Sequence, residues 1–129
     1  MAVILNHTIV WCYDKHMSAG YLAGVLGLER PRAWGPFMMV ETSNGVSLDF
    51  HEVAQGRRVA GQHYAFLISE AEFDEIFARI KAADQVYWAD PNRETAGQIN
   101  RNDGGRGVYF SDQNGHLFEI ITRPYGTVT

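Results

Sequence analysis

Residues 3–12 are rich in β-branched and aromatic side chains and predict a strand, with His7 near its middle. Asp14 then introduces 15–26, where Met17, Tyr21, Leu22, Val25 and Leu26 recur at helical spacing. Gly27 stands where a helix C-cap is expected. Pro31 and Pro36 bracket a short segment containing Trp34, and apolar runs at 37–41 and 46–50 flank Ser43-Asn44-Gly45 as a hairpin would. The polar stretch 55–58 breaks the pattern and places a connection at about 54–60. A strand follows at 63–68. Ser69 and Glu72 then form a capping-box pattern ahead of Phe73, Ile76, Phe77 and Ile80, the apolar face of a second helix ending near Ala83. A strand at 85–88, a polar loop at 91–105 and a hairpin of 108–111 with 116–122 about Asp112-Gln113-Asn114-Gly115 complete the chain.

The order is strand, helix, three strands, given twice, with modules of about 1–54 and 61–126 inside one domain. The repeat extends to individual residues. Asn44-Gly45 leads into a strand carrying Asp49, and Asn114-Gly115 leads into a strand carrying Glu119. His7 and His63 each stand about seven residues before the helix of their half. Each half thus offers one histidine on its first strand and one carboxylate on its last.

Composition narrows the possibilities. The chain has 129 residues, enough for one domain with an ordinary core, and is 46% hydrophobic and 20% charged. A net charge of −4 argues against a nucleic acid or an anionic membrane as partner. No apolar run approaches a membrane span, and the first residues lack the basic flank and cleavage site of a signal peptide. The single cysteine, Cys12, allows no intrachain disulfide and fits a reducing, cytoplasmic setting. Glu119 is a charge among Leu117, Phe118, Ile120 and Ile121, which is costly unless a positive group meets it. Imidazole and carboxylate together suit Zn, Fe, Mn, Ni or Co ions.

With the duplicated βαβββ order, His7, His63 and the D-x-x-G-H-x-x-E-I run at 112–120, the chain resembles the vicinal oxygen chelate superfamily. That superfamily comprises the glyoxalase, bleomycin-resistance, fosfomycin-resistance and extradiol dioxygenase proteins. The resemblance implies an α+β fold in which two paired βαβββ modules form a curled-sheet cup. It also implies a divalent ion (Fe2+, Mn2+, Zn2+ or Ni2+) held by His7, His63 and Glu119, with Asp49 at the place of a fourth ligand. Asp49 is one methylene shorter than the usual residue there, a tilt towards three ligands and more open positions. The implied enzyme chelates two neighbouring oxygens of a small substrate, in the manner of a ring-cleaving dioxygenase or of a glyoxalase or lyase. A metal-dependent thiol transferase for antibiotic resistance and a metal-free drug- or metabolite-binding protein are the alternatives. The first would want a basic phosphonate loop and the second generally lacks the ligands.

Strand alternation puts Ser47 and His51 on the face of Asp49, making His51 a candidate acid or base. Tyr109, on the neighbouring strand, is a candidate hydrogen-bond donor to the reacting oxygens. Arg106 is a candidate for an anionic substrate group, and Trp34, with Trp11 and Trp88, for an apolar lining. The glycines at 104–107 make no phosphate loop, lacking a strand–GxxxxGK–helix setting. A homodimer is expected, because curled sheets leave edges and apolar surface for a second copy to cover, and modules can pair within a chain or across the dimer.

Overall fold

A computed structural model describes residues 2–126. The chain divides into two compact units that meet at Ala60 and Gly61. The first contains β1 (His7–Cys12), α1 (Lys15–Leu26), β2 (Arg32–Trp34), β3 (Phe37–Glu41) and β4 (Ser47–Glu52). The second contains β5 (His63–Leu67), α2 (Glu70–Ala82), β6 (Tyr87–Trp88), β7 (Gly107–Ser111) and β8 (Leu117–Ile121). Each is a βαβββ module with one four-stranded sheet, in the order β1-β4-β3-β2 and β5-β8-β7-β6. In both, the first strand runs parallel to the last and lies at the sheet edge, while the remaining pairs are antiparallel.

Register shows the duplication at the level of single residues. His7 is level with Ser47 and Ile9 with Asp49. His63 is level with Leu117 and Ala65 with Glu119. In each module the carboxylate therefore lies two positions beyond the residue opposite the histidine. Side chains two apart on a strand share a face, so each histidine and its carboxylate belong to the same side of their sheet.

The other side is apolar. Val10, Cys12, Val40, Leu48 and Phe50 are buried in the first module, where α1 packs on β3 and β4 through Ala19, Leu22, Ala23 and Val25. Val108, Phe110, Phe118 and Ile120 are buried in the second, with Phe73, Ile76 and Ile80 of α2. Phe77 carries the helix onto β6, meeting the Tyr87 ring edge-on at 5.0 Å. Burial of this kind, roughly 1.5–3 kcal/mol for each large side chain, is the main stabilising term in either module.

Helix ends follow their local chemistry. The Asp14 side chain accepts from the Met17 amide, and Gly27 closes α1 in the left-handed region at φ 71°. At α2 the Ser69 hydroxyl accepts from the Glu72 amide at 3.1 Å while the Glu72 carboxylate accepts from the Ser69 amide at 2.9 Å. The Ser69 backbone amide, with its hydroxyl, holds the Glu72 carboxyl below the usual carboxylate range. This contribution is present at neutral pH and is lost as pH falls through the lowered value. Ser69→Ala is expected to destabilise the protein by about 1 kcal/mol in urea unfolding; an unchanged midpoint would mean that the cap adds nothing.

Two sequence expectations are corrected. The first strand begins at His7 rather than at residue 3, and Val3, Ile4 and Leu5 are exposed. Its sheet neighbour β4 starts only at Ser47, opposite His7, so nothing remains for residues 3–5 to pair with. Met17 is 63% exposed, because α1 buries the face of Ser18, Ala19, Leu22, Ala23 and Val25 instead. The segment between Pro31 and Pro36 is an edge strand paired with β3, an edge tolerating a nearby proline that an interior strand would not. Its Trp34 is 66% exposed.

Candidate functional site

The site in the second module is built on the β7–β8 hairpin. Asp112 shapes the turn: its carboxylate accepts from the amides of Asn114 (3.0 Å) and His116 (3.1 Å) and from the Asn114 side chain (2.9 Å). Gly115 takes φ 85°, a conformation an L side chain would resist, and Gly45 occupies the matching place in the first module at 81°. His116 is buried, and its Nδ1 accepts from the Gln62 amide at 2.9 Å. This hydrogen bond anchors the chain one residue before His63, so the turn motif holds the start of β5 against β8.

His63 and Glu119 face each other across that pair of strands. The Nε2 of His63 lies 3.2 Å from Oε1 of Glu119. Its Nδ1 lies 2.9 Å from the Leu117 carbonyl oxygen, which can only accept, so Nδ1 carries a proton. In the neutral imidazole the Nε2 lone pair then points at a carboxylate that is only 1% exposed. Two electron-rich atoms at this separation need a cation between them or a second proton on the ring. Adjacent ligands about 2.1 Å from a divalent ion at right angles stand about 3 Å apart, so the separation suits a shared metal. The second-sphere bond at Nδ1 is also the one metal-ligating histidines carry. The donors fit a divalent ion.

Two phenols stand behind the carboxylate. The Tyr125 hydroxyl lies 2.7 Å from Oε1 and 2.9 Å from Oε2 of Glu119. It is 3.1 Å from the Tyr109 hydroxyl. Tyr125 gives its one proton to the carboxylate, so Tyr109 donates to Tyr125. Burial pushes the Tyr109 phenol well above its usual range, with the Tyr125 hydroxyl and the Glu119 carboxylate adding to the rise. Burial raises the Tyr125 phenol too, opposed by the Tyr109 hydroxyl and reinforced by Glu119. Both are donors at neutral pH. The Tyr109 ring also lies 6.1 Å from the His63 ring, tilted by 28°.

In the first module, His7 Nδ1 meets Asn6 Oδ1 at 2.7 Å, and the buried Asp49 carboxylate accepts from the Ser47 hydroxyl at 2.5 Å. His51 is stacked on Trp11 (centroids 4.9 Å apart) and edge-on to Phe37 (5.1 Å). Its Nδ1 is a buried polar atom with no hydrogen-bond partner among the described residues. Across both modules, no three His, Cys, Asp or Glu side chains gather around one point among the described residues.

Arg106 is turned elsewhere. Its Nε and Nη1 donate to Glu70 Oε1 (2.7 Å) and Asp74 Oδ1 (3.0 Å), and its Nη2 to the Glu70 carbonyl (3.1 Å). The guanidinium lies 4.3 Å from the Phe73 ring centroid. These contacts clasp the first turns of α2, the macrodipole end that already favours Glu70. Sequence reasoning missed Tyr125 and the anchoring part played by His116. The signal available for Tyr125 was its place six residues beyond Glu119, directly after Pro124.

The profile of the Glyoxalase/Bleomycin resistance protein/Dioxygenase superfamily matches residues 4–120. Oxidase ChaP-H1 is 55% identical, with 97% of this chain and 99% of that chain covered and a TM-score of 0.93. Oxidase ChaP-H2 is 56% identical, with 98% of each chain covered and a TM-score of 0.94. A point mutant of the fosfomycin resistance protein FosX from Listeria monocytogenes, in complex with Mn(II) and 1S,2S-dihydroxypropylphosphonic acid, shares the fold at 23% identity and a TM-score of 0.70, over 98% of this chain and 95% of that chain. The curated proteins give no match.

Proposed function

The chain belongs to the Glyoxalase/Bleomycin resistance protein/Dioxygenase superfamily, and from that premise we propose that it is a divalent-metal-dependent oxidising enzyme of the dioxygenase type, using dioxygen on a small organic substrate with two neighbouring oxygens. The observation that carries this reading is the Nε2 of His63 standing 3.2 Å from a buried carboxylate, with the Nδ1 of the same ring held by the Leu117 carbonyl. Two relatives named as oxidases, identical at more than half of their positions, favour oxidation over the glyoxalase, transferase and binding-protein alternatives.

In this reading His63 and Glu119 hold the ion, and His7, from this chain or a second copy, completes the set. A divalent ion bound there would supply Lewis-acid polarisation of the paired substrate oxygens. The chain's own groups do the rest. His51, half-buried beside Trp11 and Phe37, is the group to accept or return a proton of the substrate. Tyr109 and Tyr125 keep their protons and orient the carboxylate. Asp49 is tied to Ser47 and serves as a ligand only by giving up that contact.

A homodimer accords with this scheme. β1 and β5, which carry the two histidines, are edge strands of their own sheets. Trp11, Trp34 and Leu67 are exposed apolar side chains of the kind a second copy covers. Chelation of paired oxygens is testable with 4-nitrocatechol, whose absorption changes when both of its oxygens engage a metal. The Mn(II)-loaded wild-type chain is expected to shift the spectrum, and Glu119→Gln under the same conditions is not. Identical spectra from the two would sink the reading.

A further inference from the structure

We propose that Tyr125 is a positioning residue for the metal centre, a hook from beyond the last strand that fixes the Glu119 carboxylate in the orientation needed for ligation. The proposal rests on the reading of Glu119 as a ligand. Three observations carry it.

The first is the shape of the contact. The Tyr125 hydroxyl straddles the carboxylate, within 2.7 Å of one oxygen and 2.9 Å of the other. A donor shared in this way resists rotation about the last side-chain bond of Glu119 in either direction. Glutamate is among the side chains with most rotamer freedom to lose, so a carboxylate already held loses less on taking up an ion.

The second is the support behind that hydroxyl. Tyr109 donates to it at 3.1 Å, and Tyr109 is itself 4% exposed on β7, level with Glu119 on β8. The row Tyr109–Tyr125–Glu119 therefore begins on a rigid strand and ends on the carboxylate, with each phenol keeping a single direction of donation. A partner of this kind, bonded to a ligating carboxylate, typically alters metal affinity 10–100-fold.

The third is where Tyr125 comes from. It lies outside the sheet, six residues beyond Glu119, and as a residue it is 61% exposed. A side chain retained for packing would bury its ring. Here the ring is largely in solvent and the hydroxyl alone reaches the buried carboxylate. Removing that hydroxyl leaves the apolar core of the second module untouched, which makes Tyr125→Phe a narrow probe.

Mn(II) titrations of the full-length protein, with free ion counted by its EPR signal, test the proposal in wild type, Tyr125→Phe, Tyr109→Phe and Glu119→Gln. Tyr125→Phe is expected to bind Mn(II) roughly 10–100-fold more weakly and Tyr109→Phe to show a smaller loss, since it acts one bond further away. The EPR spectrum of bound Mn(II) is expected to change in Tyr125→Phe, because a loosened carboxylate alters the symmetry around the ion. Melting of the metal-free proteins supplies the control. A lowered midpoint with unchanged Mn(II) affinity and unchanged spectrum would make Tyr125 merely structural and overturn the proposal. Tighter binding by Tyr125→Phe would overturn it too, by showing that the phenol stands where the ion must go. If Glu119→Gln binds Mn(II) like wild type, the ligand assignment fails and the proposal falls with it, an outcome distinct from a normal Glu119→Gln loss alongside an unaffected Tyr125→Phe.

Discussion

Glu119→Gln is expected to abolish the thermal stabilisation that a divalent ion gives the wild-type protein. An ion that binds only the folded chain stabilises it by about 2.7 kcal/mol at a hundredfold excess over its Kd, on the order of 10 °C for a chain of this size. The amide of glutamine is a far poorer ligand than a carboxylate, so the variant should melt at the same temperature with and without Mn(II). Scanning calorimetry in the presence and absence of Mn(II) checks this, and an equal Mn(II)-induced rise in the two proteins would contradict the expectation.

Phe118→Ala carries the second large effect, on stability rather than on metal. The ring is fully buried, 5.6 Å from Phe110, 6.2 Å from His116 and 6.4 Å from both Tyr64 and Phe66, centroid to centroid. Its loss removes the shared contact of β5, β7 and β8, with an expected cost of roughly 3–5 kcal/mol. Small domains are stable by only about 5–15 kcal/mol, so the urea midpoint should fall steeply. Phe118 and Glu119 are adjacent on β8 and so point to opposite faces. The fraction that remains folded should still bind Mn(II). A cost below about 1 kcal/mol would show that the second module's core lies elsewhere.

These two neighbours also show what a single sequence can disclose. The duplicated Asn-Gly turns place Asp49 and Glu119 at equivalent positions because turn chemistry and strand alternation are local rules. The parallel registers of β1 with β4 and β5 with β8 then put each histidine on the same face as its carboxylate. The Ser69–Glu72 capping box is equally local, and it forms as its spacing requires. Features that depend on distant partners were hidden. Residues 3–5 look like a strand, but whether they pair depends on where β4 begins. Met17 fits an apolar helical face, yet small residues at Ala19 and Ala23 allow closer packing on the opposite one. Arg106 resembles a substrate-binding cation until Glu70 and Asp74, more than thirty positions earlier, take its donors. Tyr125 had no periodicity to mark it, since its contact with Glu119 arises only when the chain turns back after Pro124.

The most direct measurement of the central claim is the metal content of reconstituted protein, by elemental analysis, in wild type and in His7→Ala, His63→Ala and Glu119→Ala. The account predicts about one divalent ion per chain in wild type, with little retained when His63 or Glu119 is removed and a marked loss with His7→Ala. Equal metal content in all four proteins would contradict it.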